Sequence, residues 1–101
     1  MMSGEDWDAV VGLAIAVRRR KLSLTQEMLA GAAHIHRNYL ADVEHGKKSL
    51  TIGVFCEVAR ALQVSPETLL KQASSYRSDD ALREAAVASL PPRRPGRPAR
   101  T

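Results

Sequence analysis

Between Leu24 and Leu70 the chain sets out two short helices and a basic loop in a fixed order. Thr25-Gln26 opens one helix, Arg37 to Glu44 forms the next, and Gly46-Lys47-Lys48 follows. That order predicts a mechanism in which one helix is held rigidly so that its neighbour lies in the major groove of DNA. No other stretch carries chemistry of comparable specificity. Ser, His and Asp side chains occur, but without a nucleophile elbow, a glycine-rich phosphate loop or a metal cluster, so an enzyme is not expected. His34, His36 and His45 have no cysteine nearby, and their spacing does not converge on one face. Neither a metal nor any other cofactor is therefore expected.

Side chains that read DNA need a rigid frame, and the hydropathy pattern predicts one. Ser3 is placed to cap a first helix, with Glu5 and Asp6 in its first turn. Trp7, Val11, Ala14, Ile15 and Arg18 then fall at helical spacing, and the helix should end near Lys21. Leu22-Ser23-Leu24 is a short connection. Thr25 is a suitable cap for the second helix, with Met28, Leu29 and Ala32 inward, and Ala33-His34-Ile35 forms the turn. The third helix, from about Arg37 to Glu44, points Leu40 and Val43 inward, and Gly46 ends it in a left-handed conformation.

Thr51 can cap a fourth helix whose buried stripe is Ile52, Phe55, Ala59 and Leu62. Ser65-Pro66 starts a fifth, with Leu69 and Leu70 inward. Ser74 to Ser78 reads as a linker. Asp79 to Leu90 looks helical again, with Leu82, Ala85, Ala86 and Leu90 on one side. A helix so short needs a partner surface. Pro91-Pro92 stops it, and the Pro- and Arg-rich remainder to Thr101 is expected to be disordered in isolation. There is no strand pattern and no internal repeat. The fold expected is all-α: a five-helix DNA-binding domain over residues 1–72, a linker and C-terminal helix over 73–90 as a candidate for dimerisation, and a flexible tail over 91–101.

The chain has 101 residues, which suits one domain without a separate ligand-sensing module. Hydrophobic residues are 45% and aromatics 4%, so the core should be aliphatic, and oligomerisation is a common way for so small a core to gain buried surface. The formal net charge of +4 lies entirely in Arg93, Arg94, Arg97 and Arg100; the other basic residues balance the 11 acidic ones. Distribution therefore says more than pI. Arg18-Arg19-Arg20-Lys21 and Lys47-Lys48 are local clusters that could reach phosphates, or simply form solvated helix ends. A single cysteine, Cys56, excludes a disulfide framework within a chain and fits a reducing cytoplasm, with Phe55 and Val58 suggesting a buried thiol. Ala9 to Val17 is an apolar run too short to span a bilayer, which takes ~20 residues. Its acidic leading flank is wrong for a signal peptide, and no membrane partner is expected.

These residues in combination resemble the phage-repressor-like (Xre-type or Cro-type, lambda-repressor-like) helix-turn-helix family. The matching positions are Ile15 and Arg19; Leu24-Thr25-Gln26-Glu27; Leu29-Ala30; Tyr39-Leu40; Val43-Glu44; Gly46-Lys47; and Ala59, Leu62, Val64-Ser65-Pro66 and Leu69. The resemblance implies five helices, transcriptional regulation and a homodimer on a palindromic operator in double-stranded DNA. It implies that Gln26 bonds a phosphate and steadies the reading helix, and that Arg37, Asn38, Ala41 and Asp42 face base edges. The chemistry fits: arginine can pair with guanine, asparagine with adenine, alanine with a thymine methyl, and aspartate with cytosine N4. His36, Tyr39, Lys47 and Lys48 become candidate phosphate contacts, although Tyr39 is equally suited to a structural role. Arg19 and Glu44 are implied to pair, tying the first helix to the end of the third.

Two positions depart from the family pattern. His34 replaces the usual turn glycine, and His36 the usual serine or threonine cap. Histidine is enriched among non-glycine residues at positive φ, so the turn is expected to survive. In the tail, Arg94-Pro95-Gly96-Arg97-Pro98 resembles the Gly-Arg-Pro core of an AT-hook, with proline where that motif has arginine. Arg94 and Arg97 are thus candidates for the minor groove, against a tail that adds only non-specific affinity. The rival to a regulator is an antitoxin-like or adaptor protein that uses the same fold mainly to bind another protein.

Overall fold

The computed structural model describes residues 4–91. Ser3 and the tail arginines Arg93, Arg94, Arg97 and Arg100 lie outside them, and with them the expected first cap and the minor-groove reading. Six helices follow in order: α1 (Gly4–Lys21), α2 (Gln26–Ala33), α3 (Arg37–Glu44), α4 (Ile52–Ala61), α5 (Pro66–Ser78) and α6 (Asp80–Ser89). No strand occurs among the described residues, and no helix there is long and apolar enough to cross a membrane.

Local chemistry sets most of the boundaries. The hydroxyls of Thr25, Thr51 and Ser65 accept from the backbone N–H groups of Met28, Val54 and Thr68, three residues on in each case. Each satisfies a donor that the first helical turn leaves without a partner. Pro66 occupies the first position of α5, where a missing N–H costs nothing. Asp79 caps α6 by accepting from Leu82 N–H.

The aliphatic core forms around α1, which packs on α5, α3 and α6, while α2 packs on α4 and α3. Ile15, Leu29, Leu40, Val43, Val58 and Leu62 are its largest fully buried side chains. Gly12 lets α1 approach the carboxyl end of α3. A Cβ there would overlap the Val43 carbonyl oxygen and stand 3.0 Å from that of Glu44. Arg18 fixes the other side of α1: its Nε donates to Leu62 O at 3.1 Å and its Nη2 to Gln63 O at 3.2 Å, closing the carboxyl end of α4.

Several expectations are corrected. Ser74 to Ser78 is not a linker but the last turns of α5, so a division at residue 72 would cut a continuous helix. Buried Ala73 and Tyr76 draw the segment onto the core, Arg77 sits 4.5 Å over the Trp7 ring, and the Ser75 and Ser78 hydroxyls donate back to the Lys71 and Ser74 carbonyls. Packing thus overrides weak serine propensity. In α2 the buried face is Leu29, Ala30 and Ala33, while Met28 and Ala32 are exposed. Ile52, Leu70, Leu82 and Ala85 are exposed as well, and Cys56 is half-buried. Beside Ala32, Leu70 and Ala85 the adjacent Ala33, Leu69 and Ala86, about 100° around the axis, are buried instead.

Candidate nucleic-acid interface

The turn between α2 and α3 holds His34 in the left-handed region, φ 61° and ψ 40°, and Ile35 N–H donates to Ala30 O at 3.0 Å. His36 then caps α3: its Nδ1 accepts from Asn38 N–H at 3.1 Å. An imidazole accepting at Nδ1 is neutral and carries its hydrogen on Nε2, the atom left to donate outward. At the far end Gly46, φ 74°, donates to Val43 O at 3.0 Å while Lys47 N–H donates to Asp42 O at 2.8 Å. This pair of bonds is a Schellman termination, which needs the left-handed residue that glycine provides. Leu40 and Val43 face the core, so the opposite side of α3 is turned outward. Arg37 and Asn38 are exposed; Ala41 and Asp42 are half-buried.

Glu44 joins three elements. Its carboxylate accepts from Arg19 Nε at 2.7 Å, from Arg19 Nη2 at 3.0 Å and from Gln26 Nε2 at 2.9 Å. Arg19 Nη1 also donates to Leu24 O at 2.7 Å. The Arg19 and Glu44 side chains are only 12% and 4% exposed. The carboxyl end of α1, the start of α2 and the end of α3 are thereby locked through charge-assisted bonds.

Gln26 and Arg37 open onto one concavity of about 670 Å³, with Arg20, Ser23, Thr25 and Glu27 on its walls. Of the basic run in α1, Arg18 and Arg19 are engaged within the fold. Arg20 is exposed and has no side-chain partner among the described residues. Arg20 therefore brings a cation to the concavity that sequence reasoning grouped with its neighbours but did not single out. Only the separation of helix faces, not residue type, distinguishes it.

Other candidates fall elsewhere. Tyr39 Oη donates to Ser49 O at 2.7 Å, and Ser49 Oγ donates to the Asp8 carboxylate at 2.7 Å. The one hydroxyl hydrogen of Tyr39 is thus engaged within the fold. Lys47 and Lys48 are exposed, but Lys48 borders an apolar groove rather than the concavity.

The helix-turn-helix family profile matches residues 15–69, more than half the chain. The chain belongs to the helix-turn-helix family. Its similarity to the control protein C.BamHI of Bacillus amyloliquefaciens is 33% identity over 54 residues, covering 54% of this chain and 67% of that one. Among solved structures it is similar to the clp gene regulator ClgR from Corynebacterium glutamicum, with a TM-score of 0.72 and 25% identity over 83% of this chain and 89% of that one. It is also similar to the restriction-modification controller protein C.AhdI from Aeromonas hydrophila, with a TM-score of 0.60 and 27% identity over 61% and 94% of the two chains. In this helix-turn-helix protein the family window ends within α5, and the ClgR likeness extends beyond it.

Proposed function

We propose that this chain is a sequence-specific DNA-binding transcription regulator that binds a palindromic operator as a homodimer, with α3 in the major groove. One observation carries the reading: the exposed first turn of α3 shares a concavity with Gln26, whose amide is held by Glu44 from behind. An amide nitrogen has a second N–H, and in Gln26 this one donates to a phosphate. Arg37 and Asn38 then meet base edges, with Ala41 and Asp42 one turn further along. Arg20, His36 Nε2, Lys47 and Lys48 neutralise or bond the backbone. The likeness to proteins named as controllers and regulators supports the regulatory role.

Selection of bound fragments from random DNA at several salt concentrations tests this. A recovered palindrome is expected, and Arg37→Ala should weaken operator binding by about 1–3 kcal/mol and relax preference at one position of each half-site. An Arg37→Ala protein with unchanged affinity and preference refutes the placement of α3. A wild-type chain that selects no sequence, and whose binding ignores salt, refutes DNA reading altogether.

A further inference from the structure

The His36 ring has two bonding ends, and the fold uses one of them. Nδ1 accepts from Asn38 N–H at 3.1 Å, the ring's only bond among the described residues. The side chain is exposed, so Nε2–H is open to a partner from outside. Asn38, whose amide is held, is itself a candidate for base contact, and Arg37 lies between the two. A serine or threonine hydroxyl would cap this turn in the same way at any ordinary pH. An imidazole accepts at Nδ1 only while it is neutral.

We propose that His36 is a positioning residue that makes sequence discrimination depend on pH: neutral, it bridges the first turn of α3 to a DNA phosphate, and protonated, it lets that turn go. The proposal rests on the DNA-reading function above and deepens it. In the neutral form the bonds run from Asn38 N–H to Nδ1 and from Nε2–H to a phosphate oxygen. One flat ring then sets the distance between the reading helix and the DNA backbone. Protonation puts a hydrogen on Nδ1, and two N–H groups face each other. It also sets a positive charge against the positive end of the α3 dipole. Both effects turn the ring out of the cap. The imidazolium still attracts phosphates, now through its charge and from no fixed position. Non-specific affinity therefore rises, while Arg37 and Asn38 stand on a turn that has lost its cap. A uniform loss of stability would not separate specific from non-specific binding in this way.

The charged groups around the turn leave the ring to itself. His34 shares the turn, Arg37 and Asp42 follow on α3, and Glu27 stands on α2. On the flanking helices, Arg60 of α4 pairs with Glu57, and Arg19 of α1 pairs with Glu44, while Arg20 stands at the concavity. None of them bonds His36. Among these side-chain types histidine is the one whose charge ordinarily changes between pH 5 and 8. His34, with His45 at the end of α3, therefore supplies the control.

The test titrates the full chain with its selected operator and with random duplex DNA, from about pH 8 to about pH 5 at fixed salt. Wild type is compared with His36→Ser, a cap with no proton to gain, and with the double variant His34→Asn, His45→Gln. In wild type and the double variant the ratio of operator to random-DNA affinity should fall roughly fivefold across that range, the size of a lost cap. In His36→Ser absolute affinity is lower, because the phosphate contact is gone, but the ratio should stay flat with pH. A wild-type ratio that ignores pH, or an equal fall in His36→Ser, overturns the proposal. Nitrogen NMR of the imidazoles in the free protein needs no DNA. The neutral His36 ring should carry its hydrogen on Nε2, and the Asn38 amide signal should move as that ring titrates. A neutral ring with its hydrogen on Nδ1 overturns the cap. A chain that selects no operator overturns the DNA reading and this proposal with it, while the NMR result still judges the cap separately.

Discussion

Replacing Glu44 by alanine tests whether the Arg19–Glu44–Gln26 junction serves stability, recognition or both. The substitution removes three hydrogen-bond acceptances at once and leaves the Arg19 guanidinium, 12% exposed, with only Leu24 O. Removing one partner of a buried ion pair costs about 3–5 kcal/mol. For a domain of this size about 1 kcal/mol moves Tm by 4–8 °C, so Glu44→Ala should melt more than about 12 °C below wild type. The double variant Arg19→Met, Glu44→Leu removes both charges and should recover most of that stability, since apolar replacement of a buried pair is often neutral or better. It cannot recover the hold on Gln26. Denaturant unfolding and DNA titration of wild type, Glu44→Ala and the double variant therefore give different orders: the double variant is stable but binds weakly. Glu44→Ala melting within about 3 °C of wild type, which is less than 1 kcal/mol, would refute the stability argument. A stable double variant with full affinity would show that anchoring Gln26 contributes nothing.

Two further substitutions separate packing from electrostatics. Gly12→Ala places a Cβ against backbone carbonyls that cannot rotate away, so α1 and α3 must move apart; a loss of about 1–3 kcal/mol is expected in urea unfolding, and an unchanged midpoint would mean the helices already have slack. Arg20→Ala should weaken binding to all sequences alike and reduce the slope of log affinity against log salt by ~1, while a change in preferred sequence would move Arg20 from phosphate to base.

Much of the frame was legible because its signals are local. Caps at Thr25, Thr51 and Ser65, the proline at the start of α5 and the glycine after α3 each follow from one residue's backbone chemistry. The exchange of Met28 for Ala30, or of Leu70 as an inward residue for Leu69 alone, was not legible. In a helix of two or three turns an apolar residue on either side of the stripe satisfies the same periodicity, and only the position of α4 or α1 decides between them. Ser74 to Ser78 failed for the opposite reason: its composition is that of a linker, and the information that makes it helical lies in the surface beneath Tyr76. At the candidate interface, residue types marked Arg37 and Asn38 as suited to bases. They could not say that Tyr39 is held by Ser49, that Arg18 closes α4, or that Arg20 is the arginine left over. Those distinctions come from partners more than 9 residues away in the chain for Tyr39 and 43 for Arg18, at separations of 10 and 44.

The loop that follows α3 is fastened at both ends. Gly46 rests against the Ala9 backbone, and Ser49 is bound by Tyr39 from one side and by Asp8 from the other. Lys47 and Lys48 thus stand on a short span of main chain that has little freedom to lose. When their ammonium groups meet a charged polymer, only side-chain rotamers have to be frozen, at roughly 0.5–1.5 kcal/mol each. A loosely tethered loop would have to surrender its backbone torsions as well, so under the proposed DNA-binding reading the links from Tyr39 to Ser49 and from Ser49 to Asp8 favour phosphate binding by the two lysines.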